Sequence, residues 1–147
     1  MHGRVSVDLF GPMPDKTHIL VAQDMMSRFP AAKILAKTDA ENVTDTLKEF
    51  YDAYGTPLAH RTDNGPPFNS EKFAEFSREQ GMRHEKAYPY HPQANLSECF
   101  MKPLGKAMKI AHLEGKNKKK ALGEFLATFR ATPHSATGMA PGDILLR

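Results

Sequence analysis

The chain of 147 residues contains one cysteine, Cys99, which excludes an internal disulfide framework and fits a reducing compartment. It contains no apolar run near the roughly 20 residues of a membrane span. The opening MHGRVSVDLF has too short an apolar stretch for a secretory signal and leads straight into strand-like sequence. No paired-cysteine or His-x3-His spacing accompanies the seven histidines, so a zinc site is not expected. Internal repeats and interdomain linkers are absent as well. These absences point to one soluble, intracellular domain over residues 1–147, with no membrane partner.

What is present is ordinary for a globular protein, with 40% hydrophobic and 25% charged residues. The formal charge of +3 leans mildly towards a polyanionic partner. Val5, Val7 and Leu9 alternate with Ser6, Asp8 and Phe10, a strand pattern, and GPMPD is a turn cluster. THILVAQDMM and AAKILAK follow as second and third strands of an antiparallel meander. Thr38 and Glu41 form a capping box for a helix carrying Val43, Leu47, Phe50, Tyr51 and Tyr54, which Gly55 and Pro57 stop.

LAHRTD reads as a fourth strand ending at Asp63. Asn69 or Ser70 caps a helix with Phe73 and Phe76 inward, MRHEKAY is a weak fifth strand, and PYHPQAN a Pro-stiffened loop. A long helix is expected from near Asn95 to about Leu113, kinked at Pro103, with Phe100, Leu104, Ala107, Met108 and Ala111 as its apolar face. KNKKK reads as a solvated loop. Leu122, Phe125, Leu126 and Phe129 mark one more helix, and a short turn closes the chain. The order is a mixed α/β layer fold, helices packed on one sheet.

The chemistry-bearing stretch runs from Arg61 to Glu98. An aspartate alone most often caps a turn or lies on the surface. Asp63, however, stands between a strand and Gly65-Pro66-Pro67, Asp8 lies within a strand, and Glu98 opens a helix. Carboxylate oxygens without His or Cys companions suit Mg²⁺ or Mn²⁺, and a pair of such ions serves phosphodiester chemistry. Asp24 is an alternative carboxylate, read as a structural residue at a strand end. Glu98, Lys102, Lys106 and Lys109 share one helical face. That stripe either tracks a nucleic-acid backbone or is a solvated lysine face. Tyr90, His91, Gln93 and Asn95 offer stacking and hydrogen bonds beside it.

VDLFGPMPD, TDNGPPFNSEKFAEF, YPYHPQAN, ECFMKPLGKAM and TPHSATGMAPGDILL together resemble the catalytic core of retroviral and Ty3/gypsy-type retrotransposon integrases, in the ribonuclease-H-like superfamily. The resemblance implies a mixed five-stranded sheet flanked by helices, with Asp8, Asp63 and Glu98 holding Mg²⁺ (or Mn²⁺). It implies processing of DNA 3′ ends and their joining to target DNA, DNA contacts from Asn64, Tyr90, Gln93, Asn95, Lys102, Lys106 and Lys109, a homodimer, and a nuclear location. It also leads one to expect an isolated core, without the zinc-binding and C-terminal DNA-binding domains that flank it in the family.

The third carboxylate departs from the pattern by one residue: 98 − 63 = 35, so 34 residues intervene, one fewer than the family has. Counting from HPQAN puts Cys99 in the glutamate position, and counting back from FMKPLGKAM puts Glu98 there. The simplest account is one residue lost between Asn95 and Glu98. In a loop such a loss leaves Glu98 in place, whereas in a first helical turn it does not. Two classes therefore stay open, a Mg²⁺-dependent strand transferase or nuclease and a non-catalytic DNA-binding or self-associating module.

Overall fold

The alternation at the start of the chain makes strand β1, Arg4–Phe10, with Val5 and Val7 buried and Arg4 exposed. Strands β2 (His18–Asp24) and β3 (Pro30–Leu35) complete the antiparallel meander, in registers running from Val5↔Asp24 to Phe10↔Ile19 and from His18↔Leu35 to Gln23↔Pro30. Helix α1, Ala40–Tyr54, leads to β4, Ala59–Thr62, which lies parallel to β1. Helix α2, Glu71–Glu79, leads to β5, Arg83–Lys86, parallel to β4. Helices α3 (Gln93–Leu113), α4 (Lys118–Ala131) and α5 (Pro141–Leu145) follow. The sheet order is β3-β2-β1-β4-β5. This computed structural model describes residues 1, 3–86, 93–134 and 137–145, the side chains of 93–97 excepted.

Each face of the sheet has its own core. Val5, Val7, Leu20 and Ala22 meet Val43, Leu47, Phe50 and Tyr51 of α1 and Phe73 and Phe76 of α2. Ile19 and Val21 point the other way, to Phe100, Leu104 and Met108 of α3 and Leu122 and Leu126 of α4. β2 is thus buried on both faces, as its nearly unbroken apolar sequence requires. Arg130 of α4 reaches over, donating from Nε and Nη2 to the Pro30 carbonyl at 3.0 and 2.7 Å.

Three details differ from the sequence reading. The cap of α1 is Asp39, not Thr38, so the i, i+3 pair is Asp39 with Asn42, whose side-chain amide donates to the Asp39 carboxylate. The Asp39 backbone is extended and its carbonyl accepts the first helical bond from Val43, while its side chain caps no backbone amide. KNKKK is no loop. Asn117 Oδ1 caps α4 by accepting from the Lys120 amide at 3.0 Å, and Lys118 pairs with Asp15 at 2.7 Å. Finally, α3 begins at Gln93, two residues before Asn95, and continues through Pro103. Asp24 proves structural: its Oδ2 accepts from the Ser27 amide and hydroxyl at 2.8 and 2.6 Å in a buried turn.

Behind β4 lies a buried polar array. His60 stacks on Phe73 at 4.9 Å, and its Nε2 is 2.7 Å from Ser77 Oγ. Ser77 donates its one proton to the Phe73 carbonyl at 3.1 Å, so His60 Nε2 carries the hydrogen and Nδ1 accepts from the Tyr51 hydroxyl at 3.4 Å. Burial first, and the neighbouring His84 second, push His60 from its ordinary 6.5 down to about 3. Between those values the unfolded chain binds a proton that the folded chain refuses, so stability is full above pH 6.5 and falls as the pH falls. Urea denaturation should show a loss approaching about 1.4 kcal/mol per pH unit below 6.5. His60→Phe, which keeps the stack, should flatten that slope between pH 5 and 6.5.

Gly105 on α3 fixes how closely that helix approaches the sheet. A Cβ there would meet the Phe10 ring of β1 at 3.4 Å. Gly105→Ala should be nearly neutral, since ordinary contact and better helix propensity oppose each other. Gly105→Leu should push α3 off β1 and lower the urea midpoint, at a cost of about 1–3 kcal/mol.

Candidate functional site

The parallel pairing of β4 with β1 decides where the aspartates lie. Arg4 pairs with Ala59, Val5 with His60 and Ser6 with Arg61, a constant offset of 55 (59 − 4 = 61 − 6 = 55). β4 ends at Thr62, and the same offset extrapolated two residues past the last pair would align Asp63, the first residue after β4, with Asp8. Adjacent strands lie about 4.8 Å apart. Side chains alternate, so Asp8 shares its face with Phe10, which packs on the α3 core. By the same alternation Asp63 follows Arg61, whereas His60 and Thr62 face α2.

Local chemistry holds each carboxylate. Asp63 is exposed and its Oδ1 accepts from the Gly65 amide at 2.8 Å, closing a tight turn. A side chain at Gly65 would bring a Cβ to 3.3 Å from that oxygen, so the carboxylate would have to give by a few tenths of an ångström. The chain is pinned directly afterwards by buried Phe68 and by Ser70, whose Oγ caps α2 through the Phe73 amide at 3.2 Å. Asp8 is half-buried and its Oδ1 accepts from the Leu9 amide at 3.1 Å.

On α3, Phe100, Leu104, Met108 and Ala111 are buried as expected, and Ala107 is half-buried. Glu98, Cys99, Lys102, Lys106 and Lys109 are all exposed. Asn64 is exposed in the turn beside Asp63. Gln93 and Asn95 lie in the first turn of α3, but their side chains, like Tyr90 and His91 entirely, fall outside the described residues. Since α3 starts at Gln93, the missing residue cannot lie in a loop between Asn95 and Glu98. Inserting glycine after Asn95 would turn Gln93 and its neighbours about 100° about the helix axis instead of relaxing a loop.

The donor chemistry of the aspartate pair fits a hard divalent cation. Among the described residues no group of three or more His, Cys, Asp or Glu side chains is gathered closely enough to hold a metal ion, so Glu98 does not join the pair in this arrangement. Sequence reasoning missed the charged floor next to the aspartates. Arg4 Nε is 3.0 Å and Arg61 Nη2 3.6 Å from Glu85 Oε1, tying β1, β4 and β5 together. Burial pushes the Glu85 carboxyl up, but the hydrogen bond from Arg4 and the charges of Arg4, Arg61 and Arg83 outweigh it and hold the group below its usual range. No local pattern in HRT or RHEK signals these contacts, which depend on the pairing of strands distant in sequence. Among the described residues no helix is long and apolar enough to cross a membrane.

Comparison with known proteins agrees with this fold. The chain is 29% identical over 142 residues to an uncharacterised protein of Caenorhabditis elegans, covering 95% of this chain and 11% of that protein. It is 32% identical over 94 residues to the Pro-Pol polyprotein of simian foamy virus type 1, covering 60% of this chain and 8% of the polyprotein. The chain thus spans about a tenth of the curated relatives it matches. The catalytic core domain of BIV integrase superposes with a TM-score of 0.83 at 22% identity, covering 99% of this chain and 95% of that one. The HTLV-2 integrase catalytic core domain in complex with magnesium, in its trimeric form, gives 0.83 at 19% identity, over 97% and 95%. The mixed five-stranded sheet with flanking helices is therefore the ribonuclease-H-like fold of integrase cores. Residues 1–92, which carry all five strands and both Asp8 and Asp63, match the integrase core domain family, and the chain belongs to that family.

Proposed function

We propose that the chain works as one catalytic-core unit of a DNA-integrating polynucleotidyl transferase, trimming DNA 3′ ends and joining them to target DNA in the nucleus. The observation that supports this reading is the β1–β4 register, which ends at Ser6↔Arg61 and, carried two residues further, would align Asp8 with Asp63 on the face that α3 crosses. Asp8, Asp63 and Glu98 would hold Mg²⁺ or Mn²⁺. When bound, such ions activate the attacking oxygen and stabilise the leaving one in a phosphodiester displacement. The carboxylates orient the reacting phosphate, and the tight turn at Gly65 restricts Asp63 to one direction.

Helical geometry supports Glu98 over Cys99 as the third ligand. Glu98 is seven residues before Gly105, which faces Phe10 of β1, so the two lie about 20° apart around the axis. Cys99 is eleven residues before Ile110, also about 20° apart, and Ile110 lines the groove between α3 and α4. Glu98 thus turns towards the strand of Asp8, and Cys99 towards α4. A thiol is in any case a poor ligand for a hard cation.

DNA would lie along Lys102, Lys106 and Lys109, with Asn64, Tyr90, Gln93 and Asn95 near the reacting end. Phosphate contacts position the protein without reading sequence. Self-association as a dimer fits relatives such as the HTLV-2 core, which has been solved in a dimeric form.

A disintegration assay on branched DNA with Mg²⁺ or Mn²⁺ tests the chemistry. Asp63→Asn and Glu98→Gln should abolish metal-dependent cleavage, and Cys99→Ala should leave it near the wild-type level. A Cys99→Glu variant that is active where the wild type is inert would overturn the assignment of Glu98. The DNA path is read separately. Changing Lys102, Lys106 and Lys109 together to Gln should flatten the salt dependence of log affinity by about 0.9 for each phosphate that is no longer neutralised, and an unchanged slope would return the stripe to a solvated face.

A further inference from the structure

We propose that His84 is a positioning residue for Asp63, acting through the hydroxyl of Thr62. This rests on the reading of Asp63 as a metal ligand and deepens it. Asp63 lies one residue beyond the end of β4, where the sheet ladder no longer fixes the backbone. A side-chain relay takes over at that point. His84 Nε2 is 2.6 Å from Thr62 Oγ1, and Thr62 Oγ1 donates to the Asp63 carbonyl at 3.0 Å. A hydroxyl has one proton, and here it goes to the carbonyl, so towards His84 the oxygen accepts and Nε2–H donates.

The relay is rigid at each step. Thr62 is 1% exposed, so water does not compete for its hydroxyl. The His84 ring is wedged edge-on against Phe73 at 4.9 Å and against His60 at 5.3 Å. The Asp63 peptide is therefore held at its carbonyl from the α2 side, while its carboxylate is held by Gly65 N–H in the turn. Two anchors on one residue leave it little freedom to swing. Partners of this outer kind set ligand orientation at metal sites, and their loss costs about 10–100-fold in affinity.

The experiment uses the full chain with Mn²⁺ as probe, read by spin-resonance titration, together with amide hydrogen exchange at Gly65, whose N–H reports the Asp63 carboxylate with or without metal. His84→Phe keeps the ring contact and removes the donor. Thr62→Val keeps the shape and removes the relay oxygen. His84→Gln places an amide N–H the same number of bonds from Cβ. Expected results are Mn²⁺ affinity weakened at least about tenfold in H84F and T62V, faster Gly65 exchange in both, and wild-type behaviour of both readouts in H84Q.

Wild-type Gly65 exchange in H84F and T62V would overturn the relay, as would an H84Q variant that fails alongside H84F. If Asp63→Asn leaves Mn²⁺ binding unchanged, the metal reading of the site falls instead. Gly65 exchange then still decides the relay by itself.

Discussion

The parallel pairing of β4 with β1 is the constraint on which the site depends. An antiparallel strand in that place would run the opposite way and would not deliver its C-terminal end beside Asp8. A parallel neighbour needs a crossover, and α1 supplies it, lying on the face of Val5 and Val7 and leaving the Asp8 face uncovered by this connection. The second crossover, α2, packs against the same core and brings β5 alongside β4. Ligand sites in open α/β sheets collect at the carboxyl ends of parallel strands, and here those ends are where the chain leaves β4 through Asp63 and the Gly65 turn.

The opposite face is divided. Over β2 and β3 it is covered by α3 and α4 through Ile19, Val21, Phe100, Leu104 and Leu122. Over β1, β4 and β5 it carries Arg4, Ser6, Arg61 and Glu85, a polar floor in which Glu85 pairs with both arginines and leaves one positive charge in excess. Gly105 against Phe10 marks the border, where α3 comes close enough to the sheet to bring its polar flank alongside β1. The helix therefore does two jobs. Its apolar stripe closes a core, and its lysine face runs outward from the carboxylates into solvent.

Much of this was legible in the sequence because it rests on periodicity. The meander, the stops at Gly55 and Pro57, a cap at Asn69 or Ser70, and the stripe from Phe100 to Ala111 all follow from spacing and residue chemistry. What was not legible depended on pairs distant in sequence or on single-residue boundaries. Nothing local in HRT or RHEK says that Arg61 and Glu85 will meet across strands, or that His84 will donate to Thr62. The Thr38 box failed because the helix starts one position later, where the Asp39 carboxylate accepts from the Asn42 side chain and caps no backbone amide. KNKKK was read from its charge, whereas Asn117 as a cap decided its structure.

The early start of α3 changes the meaning of the residue missing before Glu98. The rotation of this helix is set by Phe100, Leu104, Met108 and Ala111, all C-terminal to Glu98 and all locked into the core. A residue lost between Asn95 and Glu98 leaves everything after it in register with that stripe, Glu98 included. Everything before it is drawn one residue along the helix and turned about 100°. Gln93 and Asn95 are then the residues whose direction changes, and both are proposed DNA contacts. The one-residue departure from the family pattern thus falls on residues proposed to contact DNA, while the carboxylate two residues before Phe100 keeps the direction that the buried stripe gives it.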